Sequence, residues 1–375
     1  MAGYIFTVKK HKNESAVDAI GNIVRKGIYS TNLKIENNYW GPAHEGTFSD
    51  YLSMKPGDNV YFFSDRNLYG IGILKNILDD CKLLNYPNAD MPELNADDFK
   101  KNILEDQANR IICTFEENPH FFKKGVDMDK VLSSNPAAFK MLRAMWKLSF
   151  IKIDDHENQA LFDIILKENE ENLADSNTHM QMENKYHQKL LQQTSKKDYI
   201  FNSKNILKLS SSGDTIKHEM ALEAGIIDYI SSTQGEIFGS WDYISHQVVA
   251  SPFKPIDYMD KMDIFGYRRI SGYETISKYL VIEIKKDDAD TSVLSQVMKY
   301  VDWINQEYSF GDYGMITAFV VAKDFPQEVI SEKDAIGNRT YIKGIRPVES
   351  AEWKDLTLVK YSYNELTGEL EFTII

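Results

Sequence analysis

The feature that most constrains this chain is an apolar strand that ends in charge, Tyr279–Lys286, which reads Tyr-Leu-Val-Ile-Glu-Ile-Lys-Lys. Successive side chains of a strand point to opposite faces, so Val281, Glu283 and Lys285 share one face. A carboxylate and an ammonium two residues apart are costly to bury at the end of an apolar strand without a partner or a task. The pattern therefore indicates a site at this strand end.

A second strand is predicted at Met262–Tyr267, and it contains a single acid, Asp263. The polar residues between the two strands include Ser271-Gly272, which suits a hairpin turn. This hairpin would place Asp263 beside Glu283 and Lys285. Two carboxylates at one strand end can bind Mg²⁺, a hard cation that prefers oxygen ligands. The ordinary alternative is a salt-bridged strand end, because Glu-x-Lys alone is a common pattern.

The element that follows these strands is predicted to be a helix over Thr291–Ile304. Its apolar stripe consists of Val293, Val297, Val301 and Ile304. Gln296 and Tyr300 lie one turn apart on a neighbouring stripe. Asp, then Glu-x-Lys, then Gln-x-x-x-Tyr resembles the PD-(D/E)XK nuclease superfamily, in its RecB-type and NucS-type branches. The resemblance implies that Gln296 and Tyr300 orient the substrate backbone or the lysine.

The same resemblance implies a Mg²⁺-dependent endonuclease in which Mn²⁺ is an expected substitute. Asp263 and Glu283 would bind the metal, with the carbonyl of Ile284 as a further ligand. The metal would polarise the phosphodiester and lower the pKa of a bound water. Lys285 would position that water and offset the phosphate charge.

An acid on the first helix of the domain would complete this ligand set. A helix is predicted over Ile216–Ile230, capped by Asp214 or Thr215. It carries Glu219 and Glu223 one turn apart, and the resemblance implies that one of them faces the metal. A solvated helix face is the expected place for the other.

Residues 1–167 are predicted to form a compact mixed domain. A turn at Met54–Asn59 precedes strands at Val60–Ser64 and Leu68–Leu74. The run Lys-Pro-Gly-Asp-x-Val-Tyr-Phe-Phe, followed by Tyr-Gly-Ile-Gly, resembles PUA-like β-barrels of the EVE and YTH group. That resemblance implies a reader that takes a modified nucleic-acid base into an aromatic pocket.

Trp40, in a polar stretch, is the first candidate for the wall of such a pocket, and Trp146 is the second. Phe62 and Tyr69 are further candidates. The competing interpretation is structural, because most aromatic residues of a small barrel belong to its core.

Residues 168–205 are polar and rich in Gln and Asn, so they are predicted to be a partly helical linker. His179 and His187, within it, are expected to be solvated because no set of metal-ligand residues surrounds them. Residues 206–375 would then form the nuclease domain.

The net charge of −13 argues against a protein that coats nucleic acid without specificity. Local basic residues such as Arg268 and Lys286 are expected to contact nucleic-acid phosphates near the site. The two cysteines, Cys81 and Cys113, fit neither a disulfide framework nor a zinc site. With no apolar run of about 18 residues to span a membrane, a cytoplasmic protein is expected.

The sequence therefore predicts an α/β (α+β) protein, in which a PUA/EVE-like β-barrel precedes a restriction-endonuclease-like domain. Its expected function is endonucleolytic cleavage of double-stranded DNA, in modification-dependent restriction or anti-phage defence. A homodimer is expected, since a single site cuts one strand. The alternatives are a DNA repair or structure-specific endonuclease and a non-catalytic nucleic-acid-binding protein.

Overall fold

The chain has mixed α/β architecture and separates into two compact units, Met1–Asn202 and Ser203–Ile375. The computed structural model describes residues 1–32, 42–85, 110–143, 149–194, 203–232, 236–250 and 260–375. None of the helices in these ranges is long and apolar enough to cross a membrane.

The first unit is built on a mixed sheet. Its strands are β1 (Gly3–Thr7), β2 (Ile28–Asn32), β3 (Asn59–Ser64), β4 (Asn67–Leu74), β5 (Lys82–Asn85), β6 (Arg110–Glu117), β7 (Phe121–Phe122), β8 (Val126–Asp127), β9 (Phe150–Ile153) and β10 (His179–Met180). Its described helices are α1 (Ala16–Lys26), α2 (Pro42–Leu52), α3 (Met128–Ser134), α4 (Asp155–Glu168) and α5 (Lys185–Thr194). The sheet order is β2-β6-β4-β3-β1-β9, with β5 beside β6 and β8 beside β4. β1 and β3 are parallel, and the other pairs of this sheet are antiparallel.

The core of this sheet is strongly aromatic. Phe62 is fully buried, and its ring centroid lies 5.5 Å from those of Phe115 and Phe121. Tyr69 is also buried. The prediction that Phe62 and Tyr69 line a base pocket is therefore wrong. Both are core residues, and an aromatic ring enclosed by protein cannot stack on a base.

Residues 168–194 of the predicted linker pack on the first unit, whereas residues 203–205 belong to the second unit. β10 pairs with β7, and the ring of His179 stacks on that of His120 with centroids 4.0 Å apart. The Nε2 atom of His187 lies 2.9 Å from the carbonyl oxygen of Gly27, which ends α1 with φ 63°. Both His179 and His187 are buried rather than solvated, because tertiary contacts supply partners that local composition does not reveal.

The second unit contains the strands and helix in which the sequence predicts chemistry. Its strands are β11 (Ser211–Ser212), β12 (Thr215–Ile216), β13 (Tyr243–Val249), β14 (Lys261–Arg269), β15 (Ile276–Ile284), β16 (Ile316–Ala322), β17 (Arg339–Ile345), β18 (Val348–Trp353), β19 (Leu356–Asn364) and β20 (Glu369–Ile374). Its described helices are α6 (Lys204–Leu209), α7 (Glu219–Ser232), α8 (Ser292–Glu307) and α9 (Gln327–Ile336).

The main sheet of this unit has the order β13-β14-β15-β16-β19-β20. β13, β14 and β15 are antiparallel neighbours, whereas β15, β16 and β19 run parallel. The connection from β15 to β16 passes through α8, whose predicted stripe Val293, Val297, Val301 and Ile304 is buried as expected. A separate ribbon, β17–β18, was not predicted.

The start of α7 is also different from the prediction. Asp214 and Thr215 do not cap it, because Ser211–Ser212 and Thr215–Ile216 pair as a small hairpin around Gly213 at φ 62°. The helix begins only at Glu219. Ile216, the first residue of the predicted helix, belongs to this hairpin instead.

Candidate active site

Asp263 and Glu283 meet at one end of the antiparallel pair β14–β15. The register joins Ile264 to Ile282, so Asp263 and Glu283 are the next opposing positions. The Ile284 N–H donates to Oδ2 of Asp263 at 2.8 Å, which fixes this carboxylate at the strand end. Asp263 is 8% exposed and Glu283 is fully buried.

Lys285 follows directly after the end of β15 and turns back to the buried glutamate. Its Nζ atom lies 2.7 Å from Oε1 of Glu283. Its backbone N–H donates to the Val321 carbonyl at 2.8 Å, which continues the parallel pairing and fixes the lysine backbone. The side chain of Lys285 is 31% exposed, so the ammonium is accessible from solvent while the carboxylate beneath it is not.

A third buried carboxylate reaches the site from α7. Glu223 is 1% exposed, and its Oε1 atom accepts a hydrogen bond of 3.0 Å from Nε2 of Gln247. The same Nε2 atom donates to Oδ1 of Asp263 at 3.2 Å. The Gln247 amide thus holds the helix carboxylate and the strand carboxylate together.

Gln247 is the site residue that the sequence interpretation missed. It lies on β13 opposite Asp263, because the flanking pairs are His246 with Ile264 and Val248 with Met262. Its φ of 50° is unusual for a residue with a side chain, and such conformations cluster at functional sites. The usable sequence signal is the single amide of the stretch Tyr243–Val249.

The carboxylates raise one another's affinity for protons. Burial raises the pKa of Glu223 well above its usual range, and Asp263, Glu219 and Glu283 raise it further. Burial likewise raises the pKa of Asp263 to about 6, although the Ile284 N–H acts to lower it. If all of these groups were ionised, their negative charge would exceed what the surroundings neutralise, and they therefore bind protons more readily than free carboxyls.

The lysine compensates only part of this charge. Burial, followed by the charge of Asp263, raises the pKa of Glu283 to about 8 even though Lys285 acts in the opposite direction. For Lys285, burial acts to lower the pKa, but the charge and hydrogen bond of Glu283 outweigh it and leave the pKa raised. One ammonium thus stands against several buried carboxylates.

The remaining predicted residues lie at the edge of this group. Glu219, the first residue of α7, accepts a 3.3 Å hydrogen bond from the Lys286 N–H through Oε2. On α8, Nε2 of Gln296 lies 3.4 Å from the hydroxyl of Tyr300. Burial raises the pKa of Tyr300 to about 12, and the charges of Glu283 and Asp263 act in the same direction. The Tyr300 hydroxyl is therefore protonated at neutral pH.

Two carboxylate oxygens in the site have no hydrogen-bond partner among the described residues. They are Oε2 of Glu223 and Oε2 of Glu283, and both are buried. A buried carboxylate oxygen without a partner is destabilising, and a bound cation would remove this cost. Carboxylate oxygens are also the donor type that Mg²⁺ prefers.

The side-chain positions impose a condition on such a cation. Within the described ranges, no group of three or more His, Cys, Asp or Glu is arranged to hold a metal ion. Gln247 binds one oxygen each of Glu223 and Asp263, and Lys285 binds one of Glu283. A divalent cation held by all three carboxylates would have to displace these contacts.

Arg268 lies away from the carboxylates, and its contact with nucleic acid stays a prediction. Arg268 lies five residues along β14 from Asp263, about 17 Å away at the rise of an antiparallel strand. Lys286 does lie beside the site, through its N–H bond to Glu219. Trp40 and Trp146 lie outside the described residues.

Comparison with known proteins finds little. No protein-family model and no curated protein matches the chain. Among solved structures, a repair endonuclease from Pyrococcus abyssi is similar at 20% identity and a TM-score of 0.22, over 34% of this chain and 47% of that one. A hypothetical protein from Leishmania major is similar at 13% identity and a TM-score of 0.28, over 46% of this chain and 96% of that one. The chain spans about half the length of the endonuclease, and likeness at these scores assigns neither fold nor function.

Proposed function

We propose that residues 203–375 hydrolyse phosphodiester bonds of nucleic acid with a bound divalent metal ion. The observation that carries the proposal is the group of buried carboxylates Glu223, Asp263 and Glu283, which has two oxygens without a described partner and one nearby ammonium. Buried charge of one sign is stable only with a counter-charge. A divalent cation would supply that counter-charge. The accessible ammonium of Lys285 would then contact a scissile phosphate bound beside the cation.

Glu223, Asp263 and Glu283 would hold the ion, with Glu219 close to them. Bound there, Mg²⁺ would polarise the phosphodiester and increase the acidity of a coordinated water. The ammonium of Lys285, released from Glu283, would orient the attacking water and offset the negative charge that develops on the phosphate. The buried strand ends hold these groups in place before the substrate arrives.

Gln296 and Tyr300 would act on the substrate side of the same site. The Tyr300 hydroxyl carries its proton at neutral pH, as tyrosine ordinarily does, and its raised pKa of about 12 extends this to more alkaline pH. It is therefore a hydrogen-bond donor to a phosphate oxygen or to the side chain that orients it. Gln296, one turn earlier, donates to this hydroxyl and fixes its direction.

The finer part of the proposal concerns biological role. The resemblance of residues 1–167 to base readers supports modification-dependent restriction or anti-phage defence, with double-stranded DNA as substrate and Mg²⁺ as cofactor. A repair or structure-specific endonuclease would use the same site without base reading. In a non-catalytic nucleic-acid-binding protein, the strands β14 and β15 would be kept for binding and the carboxylates would bind no catalytic metal.

The test is a cleavage assay with four labelled substrates: unmodified duplex DNA, the same duplex with modified cytosines, a branched duplex, and RNA. Each is incubated with wild type, Glu283→Gln, or the control Glu371→Gln, whose side chain is exposed on β20. We expect Mg²⁺-dependent cleavage by wild type and the control, with none by Glu283→Gln. Preference for the modified duplex supports restriction, and preference for the branched duplex supports repair. Absence of cleavage by wild type on all four would contradict the proposal.

A further inference from the structure

The ribbon β17–β18 is firmly anchored at its base. Arg339 makes two hydrogen bonds to Asp302 of α8, Nε to Oδ1 at 2.8 Å and Nη2 to Oδ2 at 2.9 Å. The indole Nε1 of Trp353, which is buried, donates to the Ile316 carbonyl at 2.8 Å. The paired guanidinium and the buried indole fix where the ribbon leaves the unit.

The tip of the ribbon is exposed on both of its faces. Ile342, Ile345 and Val348 are 65%, 79% and 72% exposed, which is unusual for three aliphatic side chains on one short ribbon. A two-stranded ribbon that buries neither face gains little stability by itself. Its apolar tip is therefore suited to contact something other than its own unit.

The charges at the tip are mainly positive in a chain whose net charge is −13. Lys343 and Arg346 are exposed, and neither forms an ion pair with a described residue. Glu349 is the acid at the tip, and the other acid of the ribbon, Glu352, forms an ion pair with Lys354. At the tip, two cations therefore stand against one carboxylate. The partner indicated by this charge is an anion.

Two more cations lie next to the base of the ribbon. Arg268 and Lys278 are directly opposed across β14 and β15, an arrangement in which like charges repel. Nε of Arg268 donates to the Ser277 hydroxyl at 3.5 Å, and Nζ of Lys278 donates to the Gly314 carbonyl at 2.6 Å. The hydroxyl of Tyr341, in β17, packs against the same Gly314, where a Cβ would lie 2.8 Å from it.

We propose that this surface, defined by Arg268, Lys278, Lys343, Ile345, Arg346 and Val348, binds the backbone and groove of double-stranded nucleic acid. The inference deepens the proposed function, on which it rests for the choice of partner. A two-stranded ribbon fits the major groove, and Arg with aliphatic side chains is a combination that enters grooves. Phosphates would also relieve the repulsion between Arg268 and Lys278.

The surface lies apart from the carboxylates. Arg268 lies about 17 Å along its strand from Asp263. Because five residues is an odd number, the two side chains point to opposite faces of the sheet. A duplex rises about 3.4 Å per base pair, so about five base pairs cover that length. Several separated cations suit the repeated phosphates of a polymer better than one small anion.

The test is fluorescence anisotropy of a labelled duplex of about 20 base pairs, which exceeds the span required. The full-length protein is titrated in EDTA over a range of salt concentrations, so binding is measured without cleavage. The variants are Lys343→Gln/Arg346→Gln and Arg268→Gln/Lys278→Gln. The matched control is Lys208→Gln/Lys299→Gln, which removes the same charge from exposed positions on α6 and α8.

We expect each surface variant to bind the duplex roughly tenfold or more weakly at moderate salt, with a salt slope smaller by about two. The control should keep the wild-type affinity, and all variants should keep the wild-type melting temperature. Wild-type affinity in both surface variants would overturn the inference, and so would an equal loss in the control. Binding of wild type to anionic lipid vesicles but to no duplex would also overturn it.

The two proposals can fail separately. If the surface variants lose binding as expected but wild type cuts nothing with Mg²⁺, the surface stands and the nuclease proposal fails. If cleavage depends on Glu283 but both surface variants bind normally, the nuclease proposal stands and the surface is wrong.

Discussion

The ammonium of Lys285 lies 2.7 Å from one oxygen of Glu283, whose other oxygen is buried with no described partner. Because only one oxygen of Glu283 has a described partner, this carboxylate affects both the stability of the second unit and its proposed chemistry. The lysine neutralises the glutamate from one side and leaves the other side open. Substitutions at this pair should therefore change stability and activity in ways that can be measured apart.

Lys285→Met should reduce both stability and activity. Loss of the ammonium leaves Glu283 buried without its cation, and we expect the free energy of unfolding in EDTA to fall by roughly 1–3 kcal/mol. Cleavage should fall about 100-fold or more, the range for loss of a group that stabilises charge developing in the transition state. Lys285→Arg should restore stability better than cleavage, because a planar guanidinium does not replace a compact ammonium. Urea unfolding and cleavage rates measure the two effects, and a fully active Lys285→Arg would show that only surface charge matters.

Glu223→Gln should have opposite effects on stability and on cleavage. The substitution removes a buried acid whose pKa is raised by burial and by neighbouring carboxylates, while the new carbonyl oxygen can still accept the Gln247 hydrogen bond. The melting temperature in EDTA should therefore rise above that of wild type. Cleavage should fall at least about 100-fold, since removing even outer partners of a metal site has effects approaching that size. A lower melting temperature with full cleavage would place Glu223 outside the site.

The strained backbone of Gln247 gives a prediction that reverses an ordinary rule. In a strand interior, Gly is normally less stable than Ala by about 0.5–1 kcal/mol. At φ 50°, however, a side chain costs about 1–2 kcal/mol that Gly avoids. Gln247→Gly should therefore be at least as stable as Gln247→Ala in urea unfolding. Both should be less stable than wild type, because both lose the bridge between Glu223 and Asp263.

The pH dependence of the first unit should report on Glu157. This carboxylate is almost fully buried, and burial followed by the charge of Asp154 raises its pKa from 4.5 to about 8. Because the folded state binds the proton more tightly, its contribution to stability is complete below about pH 4.5 and is lost as pH rises to about 8. The limiting slope for one proton is about 1.4 kcal/mol per pH unit.

Glu157→Gln serves as the comparison for this dependence. The free energy of unfolding of wild type, relative to the variant, should decrease between about pH 4.5 and pH 8. Urea unfolding at several pH values measures the difference, which cancels the titration of other groups. A difference that is constant with pH would mean that Glu157 is ionised throughout. Its hydrogen bonds from the Met141 and Leu142 N–H groups, at 3.1 and 2.7 Å, would be the cause.

The strand ends of the site could be predicted because they follow from local pattern. The alternation in Tyr279–Ile284 and the turn at Ser271-Gly272 together fix which residues oppose each other, and the structure brings Asp263 and Glu283 to opposing positions. For the helix acid, the resemblance left Glu219 and Glu223 as alternatives, and in the structure Glu223 is the buried one. The residues that determine the strand-end geometry belong to one hairpin.

The parts that could not be predicted depend on contacts distant in sequence. Gln247 gains its meaning from Glu223, which lies 24 residues earlier on a helix, and no local pattern indicates its φ. His179 becomes buried only because His120 and Phe122 provide a surface for its ring. The ribbon β17–β18 lacks the alternation of a half-buried strand, because neither face of its tip is covered. Trp40 and Trp146 remain predictions.

The most direct test of the central claim is whether the carboxylate group binds a divalent cation. We propose to titrate Mn²⁺ into the metal-free protein by calorimetry, with wild type, Glu283→Gln and the exposed control Glu371→Gln. The account predicts saturable binding by wild type and by the control, and its loss in Glu283→Gln. Absence of saturable binding by wild type, or equal binding by Glu283→Gln, would contradict it.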